Sequence, residues 1–157
     1  MKIIDELIAH PEFCEGVHWH KVGYAAKDVI IEQGSIGNDL FLIETGVVRV
    51  LGAVELEDNR KIQPGVCDLN AGEVFGEFSL FDNLPRSATI TCINKCQLRV
   101  INGDNLQNFF SDHPDLGYRF MQEMMLMFIK RLRTSNEKVY SLLAWGLKAH
   151  KINQHLI

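Results

Sequence analysis

The chain has 157 residues, 46% of them hydrophobic and 23% charged, and its formal net charge is −4. This length and apolar content predict one globular domain over residues 1–157 with a core of its own. The negative charge disfavours a general affinity for nucleic acid or anionic lipid. No apolar run reaches the ~18 residues that a membrane span needs. Residues 1–7 include two acidic side chains, Asp5 and Glu6, where a signal peptide is basic and then apolar, so we expect a cytoplasmic protein that does not enter the membrane.

The first two thirds of the chain predict a short helix followed by strands. Residues 2–9 have a helical pattern that Pro11 ends. From about residue 20 to residue 103, short apolar runs alternate with glycine-containing turns. We therefore expect a mainly β fold flanked by helices.

Two of the predicted strands lie on either side of Thr45 and Gly46. Residues 40–43 and 47–51 are short apolar runs, and we expect Thr45 and Gly46 between them to form a hairpin turn. Further along, residues 54–65 carry many charged side chains, which indicates a solvated hairpin tip.

A helical segment is predicted from about residue 104 to residue 150. Asn102 or Asp104 can cap a first helix, and Pro114 or Asp115 can begin a long second one. Along the long helix, residues spaced alternately by four and three form a heptad seam that is apolar apart from its one serine. Its members are Met121, Met125, Phe128, Leu132, Ser135, Val139, Leu142, Gly146 and Ala149.

Additional methionine and isoleucine residues make the apolar stripe of the long helix wider than one packed face needs. A helix that packs only on its own strands would use a single face, with methionine as adaptable filler. We expect a second face to meet a partner chain, which predicts a homodimer through the C-terminal helix.

The cysteines and histidines do not form a pattern typical of a metal site. The four cysteines are scattered and contain no C-x-x-C pair, so we expect free thiols. His18 and His20 would share one face of an extended segment, with His113 as the next candidate. No clear third ligand accompanies them, and we expect no metal.

The most informative segment of the chain is residues 75–89. Gly76 lets the backbone come close to a ligand, and residues 77–81 can form a helical turn whose N–H groups attract an anion. Arg86 offers a planar fork of donors for a phosphate. Glu77 only accepts hydrogen bonds, so it needs a hydroxyl donor, which a ribose supplies.

Small residues follow the arginine. Ser87 and Ala88 can aim backbone N–H groups, together with the Ser87 hydroxyl, at the remaining phosphate oxygens. The segment as a whole therefore predicts a small ligand that is anionic at one end and hydroxylated nearby.

This segment resembles the phosphate-binding cassette of the cyclic nucleotide-binding domain family, which includes the bacterial catabolite activator protein, protein kinase A regulatory subunits and nucleotide-gated channels. The family pattern is Phe-Gly-Glu-Leu-Ala-Leu, a short gap, and then Arg-small-Ala-Ser/Thr. Phe78 and Ser79 replace the usual Leu-Ala here. The resemblance implies that Glu77 binds the ribose 2′-hydroxyl and Arg86 the cyclic phosphate. Backbone groups complete the cradle at Gly76, Glu77, Phe78, Ser79, Ser87 and Ala88.

A second segment, residues 30–50, resembles the early strands of the same family. Together the two segments extend the resemblance over about residues 20–105. The implied fold is a double-stranded β-helix, a jelly-roll-like β-roll, with a short N-terminal helix and a long C-terminal helix.

The long helix also resembles its counterpart in the catabolite activator protein. There, two hydroxyl residues stand directly before Glu-Lys-Val, and one from each subunit reaches the adenine. Ser135 and Asn136 occupy those places here. Contact with a base and a simple polar break in the heptad seam both remain open.

These features together predict a cyclic nucleotide-binding sensor in which occupancy repositions the C-terminal helix. Cyclic AMP is the first choice, and Ser87 directly after the arginine leaves cyclic GMP open. The alternative is a ligand-free family member that acts as a dimerisation or interaction module. The sequence does not identify a downstream protein partner.

Two further expectations concern activities that the chain lacks. No nucleophile-and-base motif is present, so we do not expect an enzyme. Only 18 residues follow Val139, too few for a helix-turn-helix domain, so we do not expect direct DNA binding.

Overall fold

The computed structural model describes residues 1–52, 54–55, 61–62 and 65–149. The helices are α1 (Lys2–Ala9), α2 (Ser79–Asp82), α3 (Gly103–Asp112) and α4 (Pro114–Ala149). The strands are β1 (Trp19–Tyr24), β2 (Val29–Ile31), β3 (Leu40–Thr45), β4 (Val47–Leu51), β5 (Val54–Glu55), β6 (Lys61–Ile62), β7 (Gly65–Asn70), β8 (Val74–Phe75), β9 (Thr89–Cys92) and β10 (Cys96–Ile101). The expected mainly β fold with a short N-terminal and a long C-terminal helix is confirmed.

Eight of the strands form two four-stranded antiparallel sheets. The strand order is β1-β10-β3-β8 in one sheet and β2-β9-β4-β7 in the other. Consecutive strands therefore mostly alternate between the sheets, as in a β-roll. Strands β5 and β6 pair with each other between β4 and β7, which confirms a hairpin there. Of the charged hairpin tip expected at residues 54–65, residues 56–60 and 63–64 lie outside the described residues.

The hydrophobic core contains side chains from both sheets. In the central strand β10, buried residues alternate with partly exposed Gln97 and Arg99, whereas residues 40–43 of β3 are apolar and buried throughout. The buried members of this core are Ile31, Phe41, Ile43, Val48, Leu69, Phe75, Ile90, Cys92, Cys96, Leu98 and Val100.

The hairpin expected at Thr45 and Gly46 is wrong, because the strands on either side of it belong to different sheets. Gly46 instead carries the chain across from β3 to β4 with φ at +95°. A Cβ at this position would stand 2.6 Å from the Lys95 carbonyl oxygen and 2.7 Å from Cys96 Sγ. The glycine is required both for its backbone conformation and for the close approach of the β9–β10 turn.

The helices that flank the strands are explained by a capping side chain, by buried apolar residues and by a proline. Asn102, one of the two expected caps, accepts a hydrogen bond from the Asn105 N–H at 3.0 Å, and α3 begins at Gly103. In α1, the three buried residues are Ile3, Ile4 and Leu7, which follow the helical period. Helix α4 begins at Pro114, where a missing N–H costs nothing.

The chain divides into two compact units, Met1–Leu116 and Gly117–Ile157. The first contains all of the strands, and the second consists, as far as it is described, of the continuation of α4. Along α4, every described side chain from residue 132 to residue 145 is exposed. Among the described residues, no helix combines the length and the apolar character needed to cross a membrane. One domain over residues 1–157 stays a prediction.

All four cysteines are free thiols, as expected, and two of them lie in the core. Burial, followed by a hydrogen bond with Cys96, raises the pKa of the Cys92 thiol to about 12. A thiol with such a pKa is almost entirely protonated near pH 7, and only the thiolate is a good nucleophile. Cys92 is therefore a packing residue.

Replacing Gly46 with alanine tests the crossover. We expect Gly46→Ala to lower the free energy of unfolding by about 3 kcal/mol or more, through left-handed strain of about 1–2 kcal/mol and overlap with the β9–β10 turn. Gly72→Ala is the matched control, because Gly72 has φ at +85° but nothing within 4 Å of an added Cβ. Urea unfolding measures both, and equal losses in the two variants would contradict the crowding at Gly46.

Candidate functional site

The residues that the cassette pattern singled out lie between β8 and β9, at the edge of the first sheet. Gly76 follows β8 directly and has φ at +81°. An added Cβ would stand 2.8 Å from the Asp39 carbonyl oxygen and 3.0 Å from Arg86 Nη1. The sequence suggested a glycine that makes room for a ligand. The structure adds that this glycine also makes room for the arginine.

The Arg86 side chain is held by backbone carbonyl groups. Its Nη1 donates to the Gly76 oxygen at 2.7 Å, and its Nη2 donates to the Asp39 oxygen at 3.0 Å. A guanidinium group has five N–H donors, so these two bonds leave further donors for a ligand. The backbone of Arg86 is fixed as well, because its N–H bonds to the Ser35 carbonyl and its own carbonyl accepts from Gly34.

Arg86 is a buried cation, with only 7% of its surface exposed. Burial lowers the pKa of the guanidinium below its ordinary value, while the charges of Asp39 and Glu77 act in the opposite direction. The group keeps its charge at any physiological pH because arginine titrates so high. A desolvated cation of this kind favours the approach of an anion, since the cost of removing the cation from water has already been met in the folded protein.

Aromatic rings support the arginine. Its guanidinium carbon lies 5.8 Å from the centroid of the Phe41 ring, within cation–π range. Phe41 pairs across the sheet with Phe75, and the two rings stack at 4.9 Å with an interplanar angle of 2°. The guanidinium therefore rests on a rigid apolar surface made by β3 and β8.

The other cassette residues differ in their exposure. Glu77 and Ser79 are buried, at 4% and 3% exposure, whereas Phe78 is half exposed. Ser79 begins the short helix α2, where a small residue fits the buried position that the family pattern gives to alanine. Ser87 is exposed and Ala88 is partly buried. Gly76, Glu77 and Arg86 are thus brought together at one place, with the neighbouring backbone of residues 78–79 and 87–88.

Ser135 and Asn136 lie on α4, in the second unit of the chain, and both side chains are exposed. They occupy successive positions of a continuous helix, with Ser135 in the heptad seam and Asn136 at its border. Their contact with a base stays a prediction.

The residues that hold Arg86 from the other side were not predicted from the sequence. Asp39 supplies a carbonyl, and Gly37 leaves space, since a Cβ there would stand 3.3 Å from Arg86 Nη2. Thr89 binds the same loop, because its Oγ1 accepts from the Gln33 N–H at 3.0 Å. Gly34 and Gly37 in the turn before β3 could have indicated close packing, but nothing in that turn indicated the partner.

The cassette is also connected to α3. Gln107 Nε2 donates to the Leu80 carbonyl of α2 at 2.6 Å. At the start of α3, a Cβ on Gly103 would stand 2.3 Å from the Asn38 carbonyl oxygen and 2.7 Å from Leu80 Cδ2. The loop that holds Arg86 and the short helix α2 within the cassette therefore both touch α3.

The structure does not bring His18, His20 and His113 together as a group of three ligands. His20 is exposed on β1, and His18 lies in the turn before that strand, where its Nδ1 accepts from the Cys14 N–H. His113 lies instead beside His10 and Glu12, and one ligand atom from each of these three residues lies within 4.8 Å of the others. The sequence did not indicate this cluster, because Glu12 and His113 are 101 residues apart in the chain.

Comparison with known proteins agrees with the cassette. A family model for the cyclic nucleotide-binding domain matches residues 21–113. The chain therefore belongs to the cyclic nucleotide-binding domain family, which confirms the resemblance carried by residues 30–50 and 75–89.

The names of two relatives of this chain each include a cyclic nucleotide. The chain is 30% identical over 120 residues to cyclic GMP-binding protein C of Dictyostelium discoideum, covering 74% of this chain and 4% of that protein. It is 30% identical over 143 residues to the cAMP-activated global transcriptional regulator Vfr of Pseudomonas aeruginosa, covering 88% of this chain and 59% of that protein. The chain thus spans less than two thirds of the length of these curated relatives.

Solved structures share the fold. A cyclic nucleotide-binding domain from Methylobacillus flagellatus superposes with a TM-score of 0.72 at 23% identity, covering 79% of this chain and 67% of that one. At this identity the likeness concerns the fold alone, and it agrees with the two-sheet β-roll.

Proposed function

We propose that this chain binds a cyclic nucleotide at the cassette and acts as a regulatory sensor. The observation that carries the proposal is the buried Arg86, held by the carbonyls of Gly76 and Asp39 with donors to spare, beside the buried carboxylate of Glu77. The match to the family model over residues 21–113 supports the same ligand class.

In the proposed complex, Arg86 binds the cyclic phosphate. Its guanidinium plane is fixed by two backbone bonds and by the Phe41 ring, so little rotational freedom remains to be lost on binding. The phosphate supplies the negative charge that a desolvated cation favours. Backbone groups at residues 76–79 and at Ser87 and Ala88 complete the cradle.

Glu77 has the complementary role. A carboxylate accepts hydrogen bonds and repels a phosphate, so it selects the part of the ligand that donates. The ribose 2′-hydroxyl is the donor that a cyclic nucleotide places near its phosphate ring. Burial of Glu77 strengthens this preference, because a lost bond cannot be replaced by water.

The contacts of α3 support a structural connection from the ligand site to α4. Movement of the Arg86 loop or of α2 would act on α3 through Asn38, Leu80 and Gln107, and α4 follows α3 after one residue, His113. We propose that occupancy changes the position of α4, with Ser135 and Asn136 as the residues nearest to the base in the bound form.

Cyclic AMP is our first choice of ligand, with cyclic GMP next because of the Ser87 hydroxyl. Of the two relatives described above, one is named for cyclic GMP and the other for cAMP. We further propose that the chain is regulatory and has no catalytic activity. We also propose a cytoplasmic location. A protein that binds neither nucleotide would instead be an interaction module.

The exposed seam of α4 supports a homodimer. Leu132, Val139 and Leu142 are 62%, 58% and 68% exposed, which is unusual for three apolar residues on one helical face. The spacing matches a two-stranded coiled coil, where Ser135 would lie at the contact.

Isothermal titration with cyclic AMP and cyclic GMP tests the ligand class and the role of Arg86. We expect wild-type protein to bind at least one of them, and Arg86→Leu to weaken binding by about 3–5 kcal/mol, since the phosphate charge loses its buried partner. Arg49→Leu is the control, because Arg49 is an exposed arginine paired with Asp68 on the other sheet.

No heat with either nucleotide at high micromolar concentration, for a protein that is folded, would favour the interaction module. Equal affinity of wild-type protein and Arg86→Leu would show that Arg86 does not bind the phosphate. The proposed ligand class would still hold.

The role of Glu77 is tested with a ligand that lacks the 2′-hydroxyl. We expect wild-type protein to bind the 2′-deoxy form of its preferred cyclic nucleotide about tenfold or more weakly, because a hydrogen bond to a charged group is lost. In Glu77→Ala, the two ligands should bind equally, since neither meets a carboxylate. Titration gives all four affinities, and a preference that persists in Glu77→Ala would assign the hydroxyl to another residue.

The dimer is tested by placing charge in the seam. We expect Val139→Glu to shift the protein from dimer to monomer in sedimentation velocity, since like charges would face each other in the coiled coil. Ser141→Glu adds the same charge away from the seam and should leave the dimer intact. A monomeric wild-type protein, or equal behaviour of the two variants, would exclude dimerisation through this face.

A further inference from the structure

Three ligating side chains meet at a place that the nucleotide site does not use. His113 Nε2 lies 2.8 Å from Glu12 Oε2, and the rings of His10 and His113 are 4.9 Å apart. Together with Glu12, the two histidines offer three ligand atoms within 4.8 Å of one another. We propose that His10, Glu12 and His113 bind a divalent transition metal ion, for which Zn²⁺ is the best match.

Both histidine rings are positioned by packing. Phe109, which is 5% exposed, lies 5.3 Å from the His10 ring in an edge contact and 4.3 Å from the His113 ring. The histidines are partly buried while Glu12 is exposed. The site therefore has two packed ligands and one exposed ligand on the solvent side, from which an ion can enter.

The ligand types favour a borderline metal. Zn²⁺ binds imidazole nitrogen and carboxylate oxygen at about 2.0–2.2 Å, which places tetrahedral ligand atoms roughly 3.3–3.5 Å from one another. The 2.8 Å contact between Glu12 and His113 must open slightly, and the widest separation in the cluster must close. Rotation of the exposed Glu12 side chain supplies much of that change. Calcium and magnesium prefer oxygen ligands alone and suit the cluster poorly.

Existing bonds compete with the ion. Glu12 already pairs with His113, and the Glu12 N–H donates to His10 Nδ1 over a long 3.3 Å. A metal ion replaces the first bond and, if His10 binds through Nε2, requires a change of tautomer that removes the second. These costs predict a moderate affinity. Because the chain supplies three ligands here, a water molecule would complete the tetrahedral coordination.

The place of the cluster gives the ion a structural consequence. His113 is the single residue between α3 and α4, and His10 and Glu12 belong to the segment that follows α1. A metal ion would tie that segment to the point where the long helix begins. It would stabilise the folded protein by mass action, independently of any nucleotide.

Titration of the full chain with ZnCl₂, after treatment with a chelator and under reducing conditions, tests the site. We expect one equivalent of Zn²⁺ to bind wild-type protein and to raise its Tm. Loss of outer contacts alone weakens metal affinity about 10–100-fold, so loss of a ligand in His113→Ala or Glu12→Gln should weaken it at least ~100-fold. Glu12→Gln is the more informative variant, because the side chain is exposed and its loss should not prevent folding.

Two control variants separate this site from other histidines. His20→Ala removes an exposed histidine of β1, and the double variant His150→Ala, His155→Ala removes the two near the C-terminus. Both should bind Zn²⁺ as wild-type protein does. The proposal is overturned if wild-type protein binds no Zn²⁺, if either control loses binding, or if folded Glu12→Gln binds with unchanged affinity. The last result would make Glu12 and His113 a plain ion pair.

Discussion

The interaction on which the rest of the site depends is the double hydrogen bond from Arg86 to the carbonyls of Gly76 and Asp39. It joins two loops that are far apart in the chain and fixes the plane of a buried cation. Without these carbonyls, a desolvated guanidinium would have few partners and a high cost. The glycine at position 76 follows from the same constraint, because a Cβ there would displace both the arginine and Asp39.

The fold places these loops together through its alternation between sheets. Phe41 and Phe75 are neighbours only because β3 and β8 are adjacent in the first sheet. Arg86 reaches over them from the segment that leads into β9 of the second sheet. The site thus lies where the chain passes from the first sheet to the second. Helix α2 belongs to this connection, and its Leu80 carbonyl accepts a hydrogen bond from Gln107 of α3.

Local signals in the sequence predicted part of this arrangement well. The boundaries of α1, the start of α4 and the cassette residues follow from capping, periodicity and a compact motif, all of which act within a few residues. The crossover at Gly46 was mistaken for a hairpin, because a glycine between two apolar runs is equally typical of both. Asp39 as a partner of Arg86, and Glu12 with His113, could not be predicted, because 47 and 101 residues separate them in the chain.

The start of α3 shows how rigid the connection around the cassette is. At Gly103, backbone meets the Asn38 carbonyl with no side chain between them, and Asn38 Nδ2 donates to Asp104 at 2.6 Å. Side chains usually form a compliant layer that absorbs small displacements by changing rotamer. No such layer lies between Gly103 and the Asn38 carbonyl. Side-chain movement therefore cannot absorb a shift of a few tenths of an ångström in the Asn38–Asp39 backbone. The helix must either resist that shift or move with it.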